Sequence, residues 1–329
     1  MKLYKFISEN PLAIFLKILP SQLGSSWNFS KNNARCGNSK NKNKALTEIL
    51  MLTHALEKAF SLPNPRKQFG IKKAQQLNKY IYNYINKYSW DEALRTPLSV
   101  LSEYIAYHEK NNTASPEILL LKQHILELKD NLNSTPINTN KGGTLDVHRQ
   151  NLQNSAKGDF KMLAENRYAI RNFDGSPVDF NLITKALDIA KKAPSACNRQ
   201  AYRVHIFKGE AKDNLLKIQG GANSFYETAD AVLLISADTN RYFLNESKLG
   251  YVDASLFSMA LMYAFTYLGI GTIPLTLSIK PAILKRITNE FNIPDNEIPV
   301  LLIAIGNYPE SFKVAMSHRN PVESFTTVH

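Results

Sequence analysis

The chain has 329 residues, of which 44% are hydrophobic, and a formal net charge of +12. That length indicates about two domains, and the apolar content excludes a globally disordered chain. Because the chain has only two cysteines, Cys36 and Cys197, it lacks a disulfide framework and a cysteine-based structural zinc site, which fits a reducing compartment.

The N-terminal segment carries Lys2 and Lys5 before a short apolar run, Pro11–Leu19, which Lys17 interrupts. We find no stretch that approaches the roughly 20 uncharged apolar residues of a membrane-spanning helix. A cleaved signal peptide is the alternative, but the residues after the run form a poor cleavage site. We therefore expect an uncleaved chain in the cytoplasm.

Positive charge is concentrated in residues 1–150, which hold 21 Lys and Arg against 11 Asp and Glu, whereas residues 151–329 hold 19 against 17. Such asymmetry is typical of a chain that meets an anionic partner, such as a membrane surface or an acidic substrate. A solvated surface rich in Lys and Asn is the alternative. Because neither zinc-finger spacing nor an RNA-binding signature accompanies the charge, we expect no nucleic-acid partner.

Apolar residues recur at helical spacing through most of the first part of the chain. The spacing predicts helices over residues 45–60, 72–87 and 90–109 and from residue 116 onwards, whereas Ser25–Lys44 reads as a polar loop. Since no strand signal of comparable strength precedes residue 150, residues 1–150 are predicted to form an all-helical, basic region. The polar segment Ser134–Gly143 is the best linker, so we place the boundary to a second domain, 151–329, near residue 150.

Helical and strand patterns alternate after residue 150. Strands are predicted at Tyr202–Phe207, Ala231–Ser236 and Val300–Gly306, and helices at Asp159–Asn166, Asn181–Lys192, Gly250–Leu268 and Pro281–Phe291. The third of these helices is apolar on almost every side, so it must be buried in a core or at an interface. The alternation predicts a sheet that is covered by helices on both faces.

Three polar stretches of the second part suit an anionic ligand that contains a polar ring. Arg167 and Arg171 are four residues apart, and if the local backbone is helical they share one side, where two guanidiniums form an anion clamp. The stretch Ala193–Arg203 offers Ser, Asn and Gln side chains as donors and acceptors, and His318–Glu323 adds charge near the C-terminus. Taken singly, these stretches also fit surface arginines, an ordinary loop and a frayed tail.

In this order the stretches resemble the flavin-binding motifs of the nitroreductase-like FMN-dependent oxidoreductase family. The motifs that carry the resemblance are Arg167–Phe173, Pro194–Tyr202, Asp253–Leu256, Leu268–Thr272, Gly306–Pro309 and Arg319–Glu323. The resemblance covers residues 155–325. The chain departs from the family pattern at Ala169, where a serine is usual, at Ala201-Tyr202, at the inserted Asn307 and at Pro274–Leu277.

The resemblance implies an α+β fold with a central, mainly antiparallel sheet flanked by helices, an FMN cofactor and an intertwined homodimer. NADH or NADPH would donate hydride, and a nitro compound, a quinone or a conjugated metabolite would be the small-molecule acceptor. Arg167 and Arg319 would hold the FMN phosphate, and Arg171 would lie at the pyrimidine edge of the ring. The other implied cofactor-binding residues are Tyr168, Ala169, Pro194, Ser195, Ala196, Asn198, Gln200, Leu275 and Thr276. Because flavin carries the redox chemistry, no catalytic side chain is implied, and we find no metal-ligand spacing.

The first part of the chain also contains a weaker resemblance. His54–Lys58, followed by Pro63–Arg66 and Phe69-Gly70, is similar to an extension found in nitroreductase-like proteins associated with polysaccharide biosynthesis. His54 and Lys58 would share a helix face, although a solvated polar face is the plain alternative. Together with the departures from the family motifs at Ala169 and Pro274–Leu277, this extension favours an alternative function: a weakly active or inactive flavin-fold accessory protein in polysaccharide biosynthesis.

Overall fold

The computed structural model describes residues 10–32, 42–63, 65–131, 142–242, 246 and 248–329. The described chain divides into two compact units. The sheet unit comprises the described residues of 146–312 and of the chain from residue 10 to Pro20, and the helical unit comprises the described residues of 21–145 with Lys313–His329. The predicted domains, 1–150 and 151–329, stay a prediction; the units differ from them chiefly in where the two chain ends belong.

Helices make up most of the described chain before residue 144. Their bounds are α1 (Pro11–Asn32), α2 (Lys42–Phe60), α3 (Ile71–Tyr88), α4 (Arg95–Lys110) and α5 (Pro116–Asn131), with a short 3-10 helix at Glu92–Leu94. In the helical unit α2 packs against α3 and α4, and α5 packs against α3 and α4. Their apolar stripes meet in one core, in which Leu56, Leu77 and Tyr104 are fully buried.

The Phe69-Gly70 pair supports this core. Gly70 precedes α3 with a φ of 70°, and a Cβ atom there would lie 2.9 Å from Leu56 Cδ2. Glycine therefore avoids both the strain of a left-handed conformation and a steric clash with Leu56 of α2. Phe69 packs edge-on against Phe60 and Tyr104, and its carbonyl accepts a hydrogen bond from the Tyr104 hydroxyl at 2.7 Å.

The rest of the chain mixes strands and helices. The elements are β1 (Thr144–His148), α6 (Arg149–Ala156), α7 (Phe160–Glu165), α8 (Phe180–Ala190), β2 (Tyr202–Lys208), α9 (Gly209–Gln219), β3 (Ala231–Asp238), α10 (Leu249–Tyr267), β4 (Ile270–Thr276), α11 (Pro281–Glu290), β5 (Glu297–Asn307) and β6 (Ser311–Ala315). Strands β1 and β6 form a two-stranded sheet, and the unit boundaries fall within these two strands.

The core of the sheet unit is a four-stranded antiparallel sheet in the order β2-β3-β5-β4. Every residue from Ala231 to Ala237 of β3 is buried, which requires cover on both faces of the sheet. Helix α10 packs on all four strands, whereas α9 packs on β2 and β3. The predicted class is confirmed: α+β, with an antiparallel sheet, flanking helices and a helical N-terminal region.

Helix α10 has two different apolar faces. Ala254, Phe257 and Leu261 are buried in the core, but Tyr251, Val252, Leu256 and Tyr267 are between 45% and 50% exposed. By length and composition α10 could also cross a membrane, which corrects the expectation that no stretch approaches this criterion. Since 56% of the stretch of α10 that meets this criterion is buried in the sheet unit, α10 serves as a core helix here.

Three sequence predictions require correction. The predicted loop Ser25–Lys44 is helical up to Asn32 and again from Lys42, and residues 33–41 lie outside the described residues. Residues 1–150 are not entirely helical, because strand β1 begins at Thr144. The helix predicted over residues 90–109 is α4, which begins at Arg95 rather than at Trp90. Pro97 lies in its first turn, where the missing N–H of proline costs no hydrogen bond.

Candidate functional site

The stretch that contains Arg167 and Arg171 is not helical, so the condition under which a helix would place both arginines on one side is not met. Ala169 forms a parallel bridge with Thr272 of β4, and the Ile170 N–H donates to the Thr272 carbonyl at 2.9 Å. Arg167 is partly exposed and Arg171 is 6% exposed.

Phe173 joins three of the sequence motifs. Gly271 of β4 pairs with Gly306 of β5, and Phe173 packs over both. A Cβ atom at Gly306 would lie 2.7 Å from Phe173 Cδ1, and one at Gly271 would lie 3.2 Å from Phe173 Cε1. The glycines therefore allow the segment after Arg171 to lie directly on the two strands.

Asn307, the last residue of β5, forms hydrogen bonds with the residues that follow Phe173. The Asp174 N–H donates to the Asn307 carbonyl at 3.1 Å. The Asn307 side-chain amide donates to Ser176 Oγ at 2.9 Å and to the Pro177 carbonyl at 3.1 Å. The residue that departs from the family motif thus has a structural role in this chain.

Tyr308 lies beneath this cluster. Its hydroxyl donates to the Ile270 carbonyl at 3.1 Å, and its ring stacks on Phe312. Burial raises the pKa of the Tyr308 hydroxyl, and the positive charge of Arg167 acts in the opposite direction.

The loop after α8 has an unusual backbone. Cys197, Asn198 and Gln200 have φ values of 49°, 55° and 49°, in the left-handed region. Such conformations cost of order 1–3 kcal/mol each for residues other than glycine, and they persist where the surroundings hold them. Ser195 closes the loop on itself, because its Oγ accepts a hydrogen bond from the Gln200 N–H at 2.9 Å.

The peptide groups of Ala196 are held from two sides. Its N–H points to the carboxylate of Asp253 on α10, at 3.1 Å from Oδ1 and 3.3 Å from Oδ2. Its carbonyl accepts a hydrogen bond from Arg199 Nε at 2.9 Å, and Arg199 makes a bidentate ion pair with Glu246 at 2.7 and 3.0 Å. This loop is therefore fixed to the core helix.

Tyr242 completes the support of the loop. Its hydroxyl donates to Asp253 Oδ2 at 2.9 Å, and the Arg199 guanidinium lies 5.2 Å from its ring centroid. Burial, followed by the hydrogen bond to Asp253, raises the pKa of the Tyr242 hydroxyl. Asp253 is 2% exposed, so these hydrogen bonds lie away from water, where they are strongest.

Leu275 and Thr276 end β4, which is an edge strand of the four-stranded sheet. Leu275 is 7% exposed and Thr276 is exposed, and the Thr276 carbonyl accepts a hydrogen bond from Gln219 Nε2 at 3.0 Å. The edge position also explains why Pro274 is tolerated in this strand, since proline cannot donate to a second neighbour.

The structure thus brings together five of the six motifs in two groups. Arg167, Tyr168, Ala169 and Arg171 belong to the segment that meets β4, while Pro194, Ser195, Ala196, Asn198 and Gln200 belong to the loop held by α10. Helix α10 itself packs on β4. Arg319 is exposed and belongs to the helical unit, where its guanidinium donates to the Ser317 carbonyl, so its part in the site stays a prediction.

The donor set of the sheet unit fits FMN. Arg171 is a largely buried guanidinium, and such a cation interacts strongly with an anionic group because water screens it little. Asn198 and Gln200 are exposed and offer amide donors and acceptors from a fixed loop. These are the groups that a phosphate and a polar heterocycle require.

Sequence reasoning did not assign the residues that hold the loop, namely Asp253, Tyr242, Arg199 and Glu246. One signal was available. Asp253 is the sole charged residue in the sequence of α10, Leu249–Tyr267. A lone carboxylate in a core helix must be hydrogen-bonded if it is buried, so this position could have been predicted to anchor a neighbouring segment.

The motif His54–Lys58 lies in α2 of the helical unit. His54 is exposed, whereas Glu57 is 3% exposed and accepts a hydrogen bond from the Gly143 N–H at 3.2 Å. His54 and Lys58 share a helix face, as predicted, but Leu56 and Glu57 serve the packing of the unit. The resemblance of this region to an extension of other proteins stays a prediction.

Comparison with known proteins bears on the sheet unit. The model of the nitroreductase family matches residues 164–250, which include Arg167, Arg171 and the loop Pro194–Gln200. A 4-nitrobenzoate reductase of Pseudomonas putida is 36% identical over 66 residues, which are 20% of this chain and 29% of that protein, so the match spans less than a third of the relative's length.

Solved structures are similar over about half of the chain. A nitroreductase family protein from Streptococcus pneumoniae TIGR4 is 24% identical with a TM-score of 0.45, and the match covers 52% of this chain and 100% of that one. A nitroreductase-like protein from Streptococcus mutans is 22% identical with a TM-score of 0.46, and the match covers 52% and 98%. The family match at residues 164–250 confirms that this part of the chain is nitroreductase-like.

Proposed function

We propose that this nitroreductase-like chain is an FMN-dependent oxidoreductase that uses NADH or NADPH to reduce a small organic acceptor. The observation that carries the proposal is the match of residues 164–250 to the nitroreductase family, since that segment holds both arginines and the fixed loop. The acceptor would be a nitro compound, a quinone or a conjugated metabolite. When bound, FMN would supply the hydride transfer, which no protein side chain can perform.

The roles of the binding residues follow from their chemistry. Arg167 and Arg319 would donate charge-assisted hydrogen bonds to the phosphate, which needs such partners in a partly dry site. Ser195, Asn198 and Gln200 would contact the ring or the ribityl chain. Backbone groups near Leu275 and Thr276, on the edge strand β4, would face the part of the ring where hydride arrives.

Arg171 would act at the pyrimidine edge of the ring. Negative charge develops there when flavin is reduced, and a fixed cation stabilises it. Because Arg171 is 6% exposed, its field is less screened than that of a surface arginine. We expect this residue to raise the reduction potential of the bound cofactor.

We also propose that the chain forms a homodimer through α10. Exposed apolar side chains follow one another along this helix at Val252, Leu256 and Tyr267, and Tyr251 adjoins them. Phe160 of α7 is 69% exposed, and its ring contacts Tyr263 of α10 at 5.6 Å between centroids, which extends the apolar surface. Apolar surface of this kind marks an interaction site on a folded unit.

Two further features remain proposals. The basic region of residues 1–150 would meet an anionic partner, and the chain would act in the cytoplasm. The alternative function, a weakly active or inactive flavin-fold accessory protein in polysaccharide biosynthesis, shares the same cofactor site and differs in turnover alone. It is favoured by Ala169, whose side chain lacks the usual hydroxyl at the site.

One experiment separates these functions. Purified protein is reconstituted with FMN, reduced anaerobically with NADH or NADPH, and mixed in a stopped-flow device with nitro and quinone acceptors. Rapid reduction followed by reoxidation over many turnovers supports the oxidoreductase. Stable FMN binding with little or no turnover would favour the accessory protein, and failure to bind FMN would reject both.

A further inference from the structure

The loop Ser195–Gln200 cannot hold its conformation by local preference. Three of its residues, Cys197, Asn198 and Gln200, are left-handed without being glycine. Asn tolerates this region better than most residues, but Cys and Gln gain nothing from it. The hydrogen bond from the Gln200 N–H to Ser195 Oγ lies within the loop and does not fix it to the rest of the unit.

Arg199 connects the loop to Arg241 and Glu246, and Asp253 attaches it to α10. Both of its carboxylate oxygens lie within 3.3 Å of the Ala196 nitrogen, one residue before Cys197, the first left-handed position. The carboxylate is in turn oriented by the Tyr242 hydroxyl at 2.9 Å and is 2% exposed. A buried carboxylate that accepts from a backbone N–H and a phenol imposes one position on that N–H.

We propose that Asp253 is a positioning residue for flavin binding: through Ala196 it holds the strained loop in the shape that receives the cofactor. This inference rests on the proposed function. It assigns Asp253 no contact with the cofactor, since its oxygens are used by Ala196 and Tyr242. Without the carboxylate, the loop relaxes, and binding of FMN must restore the strained conformation at the expense of affinity.

The test compares two substitutions of the same residue. Asp253→Asn keeps an oxygen for the Ala196 N–H and an amide that can meet the Tyr242 oxygen, whereas Asp253→Ala removes both. We expect the FMN dissociation constant to rise about tenfold in D253A and by less than about threefold in D253N. Far-UV circular dichroism of each cofactor-free variant shows whether it is folded at the assay temperature.

A second substitution tests strain directly. Cys197→Gly relieves the left-handed penalty at the position next to the attachment. We expect C197G to leave FMN affinity within about twofold in the wild-type background, where the loop is already held, and to recover about threefold or more in D253A. A role of Asp253 in the general stability of α10 gives no reason for this recovery.

The outcomes distinguish failure of this inference from failure of the proposed function. If the wild-type protein does not bind FMN, the function itself is rejected. If the wild type binds FMN and folded D253A binds it equally well, or C197G brings no recovery, the positioning role is wrong and the function stands. If D253A does not fold, Asp253→Ser decides: it keeps a polar group at this buried position but is too short to reach the Ala196 N–H, and an FMN affinity unchanged from wild type would overturn the inference.

Discussion

Phe173 lies so close to Gly306 that a Cβ atom added to the glycine would meet Phe173 Cδ1 at 2.7 Å and Cγ at 2.8 Å. Through this contact the segment Arg167–Phe173 packs against β5, and Gly271 of β4 allows Phe173 to approach in the same way. The geometry links the stability of the sheet unit to the placement of Arg171, two residues before Phe173.

Gly306→Ala should therefore destabilise the chain through overpacking. We expect a loss of about 1–3 kcal/mol in the free energy of unfolding, because the neighbouring atoms belong to a buried ring that has little room to move. Denaturant unfolding measures this value. In a Phe173→Ala background the same glycine substitution should cost less than about 0.5 kcal/mol, and an equal cost in both backgrounds would contradict the contact.

Arg167→Ala should weaken FMN binding by about 10- to 100-fold, because charge-assisted hydrogen bonds to the phosphate are lost. Riboflavin, which lacks the phosphate, should bind the variant and the wild type equally well. Arg319→Ala should show the same selective loss. Fluorescence titration with both ligands measures the constants, and Arg286→Ala, at an exposed arginine 3.1 Å from Glu290, is the matched control. Equal losses of affinity for FMN and riboflavin would show that these arginines do not bind the phosphate.

Arg171→Ala should behave differently, because its proposed position is at the ring. We expect weaker binding of both FMN and riboflavin, and a reduction potential of the bound flavin that is more negative by about 30 mV, which is about 1.4 kcal/mol for two electrons. Arg171→Lys keeps the charge and should shift the potential less. A potential in R171A that equals that of the wild type would contradict the role.

Leu256→Glu should prevent dimer formation, because it places a charge in the exposed apolar surface of α10, where Leu256 is 45% exposed. Sedimentation velocity should show a monomer for this variant and a dimer for the wild type. Leu119→Glu, at a position 51% exposed on α5, is the matched control and should remain dimeric. A wild-type protein that is monomeric at all concentrations would disprove the interface.

His108 should make the stability of the chain depend on pH. Its side chain is fully buried, Nδ1 lies 2.7 Å from Thr113 Oγ1, and Nε2 has no hydrogen-bond partner among the described residues. Burial lowers the pKa of His108 below its usual value of about 6.5. The neutral form is therefore favoured in the folded state, and its contribution is complete above pH 6.5 and lost as the pH falls through the lower folded value.

The check compares the free energy of unfolding of the wild type with that of His108→Phe between about pH 7.5 and pH 5.5. The wild type should lose stability relative to the variant as the pH falls, because the phenylalanine does not titrate. The other histidines are common to both proteins and cancel in the difference. A difference that does not change with pH would show that His108 is not held neutral by the fold.

The sequence predicted the strongly patterned elements and missed those with mixed signals. The buried strands β3 and β5 and the apolar helix α10 have continuous apolar runs, so periodicity and length were sufficient. Strand β4 contains Gly271 and Pro274, which lower strand propensity, and its pairing with the extended Ala169 depends on contacts distant in sequence. The sequence pattern alone therefore did not predict the bridge between residues 167–171 and β4.

The candidate site shows the same division. The resemblance placed Arg167, Arg171 and the loop Pro194–Gln200 in one site, and two groups of motifs do come together in the sheet unit. The hydrogen bond that attaches the loop to Asp253 could not be read from the motifs, because it joins residues 57 positions apart and depends on the packing of α10. The left-handed conformation of the loop was also not predictable, because none of its left-handed residues is the glycine that usually indicates such a conformation.

The central claim is that the sheet unit binds FMN and passes hydride through it, and anaerobic titration of the FMN-reconstituted protein with NADH or NADPH tests it most directly. After gel filtration the protein should retain stoichiometric flavin, and its absorption should bleach fully with one equivalent of the nicotinamide. A colourless protein after reconstitution, or a flavin that stays oxidised in excess NADH and NADPH, would contradict the account.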